Sequence, residues 1–130
     1  MVLLLIIADD FTGALDTGVQ FAACGIKTQV VVNPQIDFTA YETTVLVVDT
    51  ETRHLPAAQA YEIVSGLTAR ARQAGIRYIY KKTDSALRGN IGAELAAALT
   101  ASGEGQLAFI PAYPQMNRIT RRGIHYISGV

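Results

Sequence analysis

The chain has 130 residues, half of them hydrophobic, with 11 Lys plus Arg balanced by 11 Asp plus Glu. That length suits one domain, or a large part of one, with an ample core. The balanced charge gives no global field for nucleic acid or an anionic membrane surface, so any anion recognition has to be local. The apolar start, Met1 to Ala8, is too short to span a bilayer and runs straight into Asp9-Asp10. A single cysteine, Cys24, excludes an internal disulfide and a thiolate-rich zinc cluster. The expectation is a cytoplasmic protein with neither nucleic acid nor membrane as partner.

In chain order, Leu3 to Ile7 reads as a buried parallel strand. Thr12 is the predicted N-cap of a helix whose apolar positions Leu15, Val19 and Ala22 to Ala23 recur until Gly25. Thr28 to Val32 is β-rich, Asn33-Pro34 marks a turn, and Thr44 to Val48 is a third strand ending at Asp49-Thr50. Pro56 opens a second helix with a stripe through Ala57, Ala60, Tyr61, Val64, Leu67 and Ala71, and Gly75 ends it before a strand over Ile76 to Tyr80. A third helix starts near Asn90, with Ile91, Leu95, Ala98 and Leu99 as its stripe. A fifth strand is predicted over Gln106 to Ile110. Beyond it lies an irregular segment with Pro111, Pro114, Arg118, Arg121 and Arg122, and then a strand-like Ile124 to Ile127. The alternation predicts an α/β fold with an open, mainly parallel sheet, flanking helices and Rossmann-like layering, its loops gathered along the carboxyl edge.

Two polar clusters fall at that edge. In Ala8-Asp9-Asp10-Phe11-Thr12-Gly13, two adjacent carboxylates after a strand suit a water-mediated hold on Mg²⁺ or a general base toward a hydroxyl, unless one of them caps the helix while the other is simply solvated. Thr12 either helps place helix-start amides near an anion or simply caps. The second cluster, Lys81 to Asn90, is more specific. Arg88 can grip a carboxylate or phosphate bidentately, Lys82 supplies a point charge, Ser85 and Asn90 can bond hydroxyls, and Gly89 lets the backbone approach the ligand closely. Strand alternation puts Lys81 and Lys82 on opposite faces, and Lys82 is the one expected in the site. Arg53, after the third strand, is a further anion ligand on the same edge. Together with Asp84 these residues form the candidate site. His54 and His125 lack partners at metal-ligand spacing and are read as non-catalytic, Cys24 is read as a buried structural thiol, and Arg118, Arg121 and Arg122 are read as a basic patch that is solvated unless it contacts a phosphate or a partner domain.

Gly13 and Gly18 have the outer spacing of a phosphate-binding loop, but Val19-Gln20 stands where Lys-Ser/Thr is required, and no Gly-x-Gly-x-x-Gly follows a strand. The chain thus offers acceptor chemistry without an evident nucleotide site. A rival reading is a phosphoacceptor receiver-like signalling domain using Asp49.

Three stretches resemble the four-carbon acid sugar kinase family, which includes threonate, erythronate and 3-oxo-tetronate kinases: Ile7 to Ala14 with Asp16 and Gly18, Lys81 to Glu94, and Pro111-Ala112-Tyr113-Pro114 through Arg118 to Gly123. The resemblance implies an ATP-dependent kinase acting with Mg²⁺ on the terminal hydroxyl of a short sugar acid. It places Asp9 and Asp10 in catalysis, and Thr12, Arg53, Lys82, Asp84, Ser85, Arg88, Gly89 and Asn90 in substrate binding, with no metal ligand of the chain's own. It also implies that residues 1–130 form an incomplete amino-terminal sugar-binding domain, with a non-catalytic sugar-acid binding module as a second rival reading. ATP would bind a carboxyl-terminal domain, and the partner is that domain or a second copy of the chain. Ala86, where Thr is frequent, and Asn117-Arg118, in place of Gly-Arg, depart from the family pattern.

Overall fold

All 130 residues are described by a computed structural model. Strands β1 (Leu4–Ala8), β2 (Thr28–Val31), β3 (Val45–Asp49) and β4 (Tyr78–Lys82) form one sheet in the order β2-β3-β1-β4. Every pairing is parallel, with Ala8 opposite Asp49 on one side and Lys82 on the other. Those three residues close neighbouring strands at the same level, so the loops that follow them meet at one edge. The α/β class with an open parallel sheet is the fold expected from the sequence.

Period-two alternation along β1 divides the core in two. Leu5 and Ile7 point to one face, where Leu46, Val48, Val64, Leu67 and Ala97 join them. Ile6 and Ala8 point to the other, with Val45, Val47 and Ala14. Helices α2 (Ala57–Gln73) and α3 (Ile91–Ser102) cover the first face, and α1 (Phe11–Ala23) covers the second. Burial on both faces is why β1 and β3 read as unbroken apolar runs. No helix is long and apolar enough to cross a membrane.

Several boundaries and faces differ from expectation. Helix α1 is capped by Asp10, whose carboxylate accepts from Gly13 N–H, and Thr12 lies inside the first turn. Its buried face is Gly13, Ala14 and Gly18, while Leu15 and Val19 are exposed. The small residues win because α1 lies close on the sheet: a Cβ at Gly18 would stand 3.2 Å from Val30 Cγ2 and 3.4 Å from Val47 Cγ2. Cys24 is exposed, not buried, because it is the C-cap of α1, past the last turn that packs on the sheet. Strand β4 begins two residues later than predicted and includes both lysines.

The expected strand over Gln106 to Ile110 does not form: the segment pairs with no other strand. The segment read as irregular contains β5 (Arg118–Arg121), which pairs antiparallel with β6 (Ile124–Ile127). Arg122 and Gly123, at φ 52° and 78°, make the two-residue turn between them.

Substituting Gly18→Leu should destabilise the chain by about 1–3 kcal/mol, since the added side chain meets β2 and β3. Urea denaturation checks this, and an unchanged midpoint would show that α1 does not sit this close to the sheet.

Candidate functional site

The carboxyl edge is organised around Arg53, whose side chain is only 10% exposed. Its Nε donates to Asp9 Oδ2 at 2.9 Å, and its Nη2 lies 3.1 Å from Asp10 Oδ1 and 3.7 Å from Asp84 Oδ1. Arg53 N–H also donates to the Asp9 carbonyl, which fixes the loop after β3 against the end of β1. The bond to Asp9 is the main reason the guanidinium is held even more firmly in its charged form than usual. Gly89, at φ +93°, closes over this pair, and a Cβ there would stand 3.1 Å from Asp9 Oδ2 and 3.2 Å from Arg53 Cγ. The close approach that Gly89 makes in the folded chain is to Asp9 and Arg53.

Asp84 shapes the loop after β4. Its Oδ2 accepts from the Ala86 and Arg88 backbone N–H groups, and its two oxygens take a bidentate grip from Arg88 Nε and Nη2 at 2.8 and 2.9 Å. Those Arg88 bonds hold the Asp84 carboxyl well below the usual carboxylate range, against the opposing effect of burial. The Arg88 side chain itself stays 64% exposed. Asn90 donates from Nδ2 to the Thr52 and Leu55 carbonyls, tying the start of α3 to the loop after β3.

Beneath this layer lies a buried polar chain. Thr50 Oγ1 donates to the Ala8 carbonyl, the Thr50 and Thr52 hydroxyls lie 2.8 Å apart, and Thr52 Oγ1 donates to Glu94 Oε1. Lys81 Nζ lies 3.7 Å from the same oxygen, and both side chains are almost wholly enclosed. Burial pushes Lys81 down and Glu94 up, and each partner's charge opposes the shift. Lys81 is thus the inward member of the lysine pair. The sequence assigns Glu94 no role of its own, since it only ends the second family-like stretch, one place from the apolar stripe of α3.

A cavity of about 700 Å³ opens above the cluster. Asp10, Thr12, Arg53, Lys82, Asp84, Ser85 and Arg88 line it, whereas Asp9, Gly89 and Asn90 lie behind that surface. The far wall comes from residues after α3, among them Tyr113 and Arg118. Arg118 Nη1 donates to Ser85 Oγ while its buried Nε has no protein partner, and His125 Nε2 lies 2.6 Å from the Ser85 carbonyl. The hairpin therefore docks on the loop after β4, which adjacent-residue spacing in the sequence does not reveal. Lys82 Nζ donates to the Thr83 carbonyl from the cavity wall. No group of three or more His, Cys, Asp or Glu side chains is placed to hold a metal ion, and the carboxylates of Asp9, Asp10 and Asp84 are turned toward guanidinium groups.

Asp49 is enclosed, with Oδ1 accepting from Glu51 N–H and Oδ2 unpartnered. That burial is hard to reconcile with a phosphoacceptor, which needs access, and the sheet order is not the β2-β1-β3 arrangement of flavodoxin-like domains.

An open parallel sheet with a charged cavity at its carboxyl edge defines a small-molecule-binding α/β domain. The chain belongs to the family described as "Sugar-binding N-terminal domain", whose model matches residues 4–130. It is 42% identical over 127 residues to a D-threonate kinase of Bordetella bronchiseptica, covering 94% of this chain and 31% of the relative. A D-erythronate kinase of Heliobacterium modesticaldum is 37% identical, with 92% and 28% covered. A crystal structure of a Bordetella bronchiseptica protein described as a domain of unknown function, a domain-swapped dimer with bound citrate, superposes with a TM-score of 0.89 at 41% identity, covering 98% of this chain and 33% of that one. The chain thus spans about a third of the length of these relatives.

Burial, reinforced by the nearby negative charges of Glu51 and Asp10, raises the Asp49 carboxyl from its ordinary 3.8 to about 6. Between those values the folded chain holds a proton that the unfolded chain has released, so this group's contribution to stability falls as pH rises through that window. Asp49→Asn should therefore stabilise the chain by about 1–2 kcal/mol at pH 8 and by almost nothing near pH 4. Urea titrations at the two pH values check this, and an equal effect at both would contradict it.

Proposed function

We propose that this chain is the sugar-acid-holding part of an ATP-dependent kinase that phosphorylates the terminal hydroxyl of a four-carbon sugar acid such as threonate, erythronate or 3-oxo-tetronate. The observation that carries the reading is the convergence of Asp10, Lys82, Ser85, Arg88 and Arg118 on one cavity at the sheet's carboxyl edge. The names of the related kinases support the substrate class. The citrate bound by the related crystal structure is a carboxylate-rich small molecule, in keeping with a carboxylate site, and its domain-swapped dimer supports a homo-oligomer as one partner state.

In this reading Arg88 and Arg118 bind the substrate carboxylate. Arg88 is exposed and planar, and Arg118 lines the same cavity from the opposite wall. Lys82 adds a positive charge near the developing phosphoryl negative charge. Asp10 is the better placed general base, because it lines the cavity while Asp9 is shut behind Arg53. It would accept the proton of the substrate hydroxyl as that oxygen attacks the γ-phosphorus of ATP, with ADP leaving. Arg53, Asp9, Gly89 and Asn90 act as positioning residues that hold the strand-end loops together. ATP with its Mg²⁺ is assigned to polypeptide beyond the region shared with the longer relatives, since no glycine-rich phosphate cradle occurs here. Most of the rate enhancement would come from positioning and charge compensation.

Calorimetric titration of this chain with D-threonate tests the reading. Binding should occur without ATP, Arg88→Ala should weaken it by about tenfold or more, and the chain alone should show no ATP-dependent phosphorylation of threonate. Binding unaffected by Arg88→Ala would remove Arg88 from the site, and no binding of threonate or erythronate would defeat the proposal.

A further inference from the structure

The chain has a second large concavity, an apolar groove of about 670 Å³ on the side of the sheet away from β2. One wall is β4, the edge strand. Because Tyr78 N–H donates to the Leu3 carbonyl, alternation along a parallel ladder turns the Tyr78, Tyr80 and Lys82 amides toward β1 and the Ile79 and Lys81 amides into the groove. The opposite wall is Gln106 to Ile110, the segment with the pattern of a buried strand. No backbone hydrogen bond is made by any residue from Gln106 to Ala112. Leu95 and Leu99 of α3, only partly buried, line the space between the walls. Phe109 is left 42% exposed and Ile110 83% exposed.

Two facing walls with unpaired backbone groups and an apolar lining have the chemistry of a sheet interrupted by one strand. We propose that this groove receives an extended apolar strand from the part of the polypeptide that the longer relatives carry beyond the matched region. That strand would pair with β4 on one side and with Gln106 to Ile110 on the other, completing a six-stranded sheet. The relatives have the chain length for it, since the region matched here is about 31% of the D-threonate kinase. A second copy of this chain is a poor occupant, because its own unpaired apolar segment is Gln106 to Ile110, already a wall of its own groove. The insertion would also anchor the segment leading to Tyr113 and Arg118, and so steady the far wall of the polar cavity.

Amide hydrogen exchange tests this on two proteins: the chain alone, and a chimera in which it is followed by the part of the Bordetella bronchiseptica D-threonate kinase beyond the matched region. In the chain alone, Ile79, Lys81 and residues 107–110 should exchange almost unprotected while β1 and β3 are protected. In the chimera those amides should slow by about 100-fold or more. Equally fast exchange in a chimera whose β1 and β3 are protected would overturn the proposal. So would protection in the chain alone that grows with concentration, which would make a second copy the occupant. If β1 and β3 of the chimera are unprotected, the same measurement on the aligned segments of the intact D-threonate kinase decides, with slow exchange there supporting the inserted strand and fast exchange refuting it.

Discussion

The Arg53 guanidinium is the tie on which the carboxyl edge depends. It comes from the loop after β3 and reaches Asp9 and Asp10 after β1 and Asp84 after β4, so one side chain joins three adjacent strand ends. Asp9 is enclosed, and an enclosed carboxylate without its cation would be costly; breaking such a buried pair generally costs about 3–5 kcal/mol. The fold provides the conditions that make the pair viable. Parallel register brings the strand ends level, Gly89 leaves room above the pair, and the Thr50, Thr52, Glu94 and Lys81 chain braces the loops from below.

This tie divides the polar residues into two sets. Asp9, Glu94, Lys81 and Asn90 spend their polar atoms on other parts of the protein and set geometry. Asp10, Lys82, Arg88 and Arg118 keep a surface on the cavity, where positive and negative groups nearly balance. A near-neutral cavity suits a ligand that has a carboxylate at one end and hydroxyls along its length. Such a ligand needs a cation at one point and hydrogen-bond acceptors at others.

The central strands and helix α2 were legible because they are buried on both faces or carry a clear stripe, as Leu46 to Val48 and Val64, Leu67 and Ala71 do. The packed face of α1 was misread because hydrophobicity points to Leu15 and Val19, whereas close packing selects Ala14 and Gly18. The strand over Gln106 to Ile110 was expected from a local pattern, but a strand exists only where a partner backbone meets it. At the candidate site, residue type and strand-end position brought out the cavity-lining Asp10, Lys82, Ser85 and Arg88. Distinguishing Asp9 from Asp10 needed the position of Arg53, which lies 44 residues from Asp9. The sequence reads Arg118 as solvated and His125 as non-catalytic, and their docking on Ser85 is not legible there because the hairpin meets that loop only through tertiary contact.

The most direct test of the account is a nuclear magnetic resonance titration that follows the arginine Nε–Hε signals and the aspartate carboxyl carbons as D-threonate is added. Arg88, Arg118 and Asp10 should shift together with a single saturation curve, while the Arg53 Nε–Hε signal, already bound to Asp9, stays nearly fixed. Saturable binding that leaves Arg88, Arg118 and Asp10 unmoved, or that moves residues of the apolar groove instead, would contradict it.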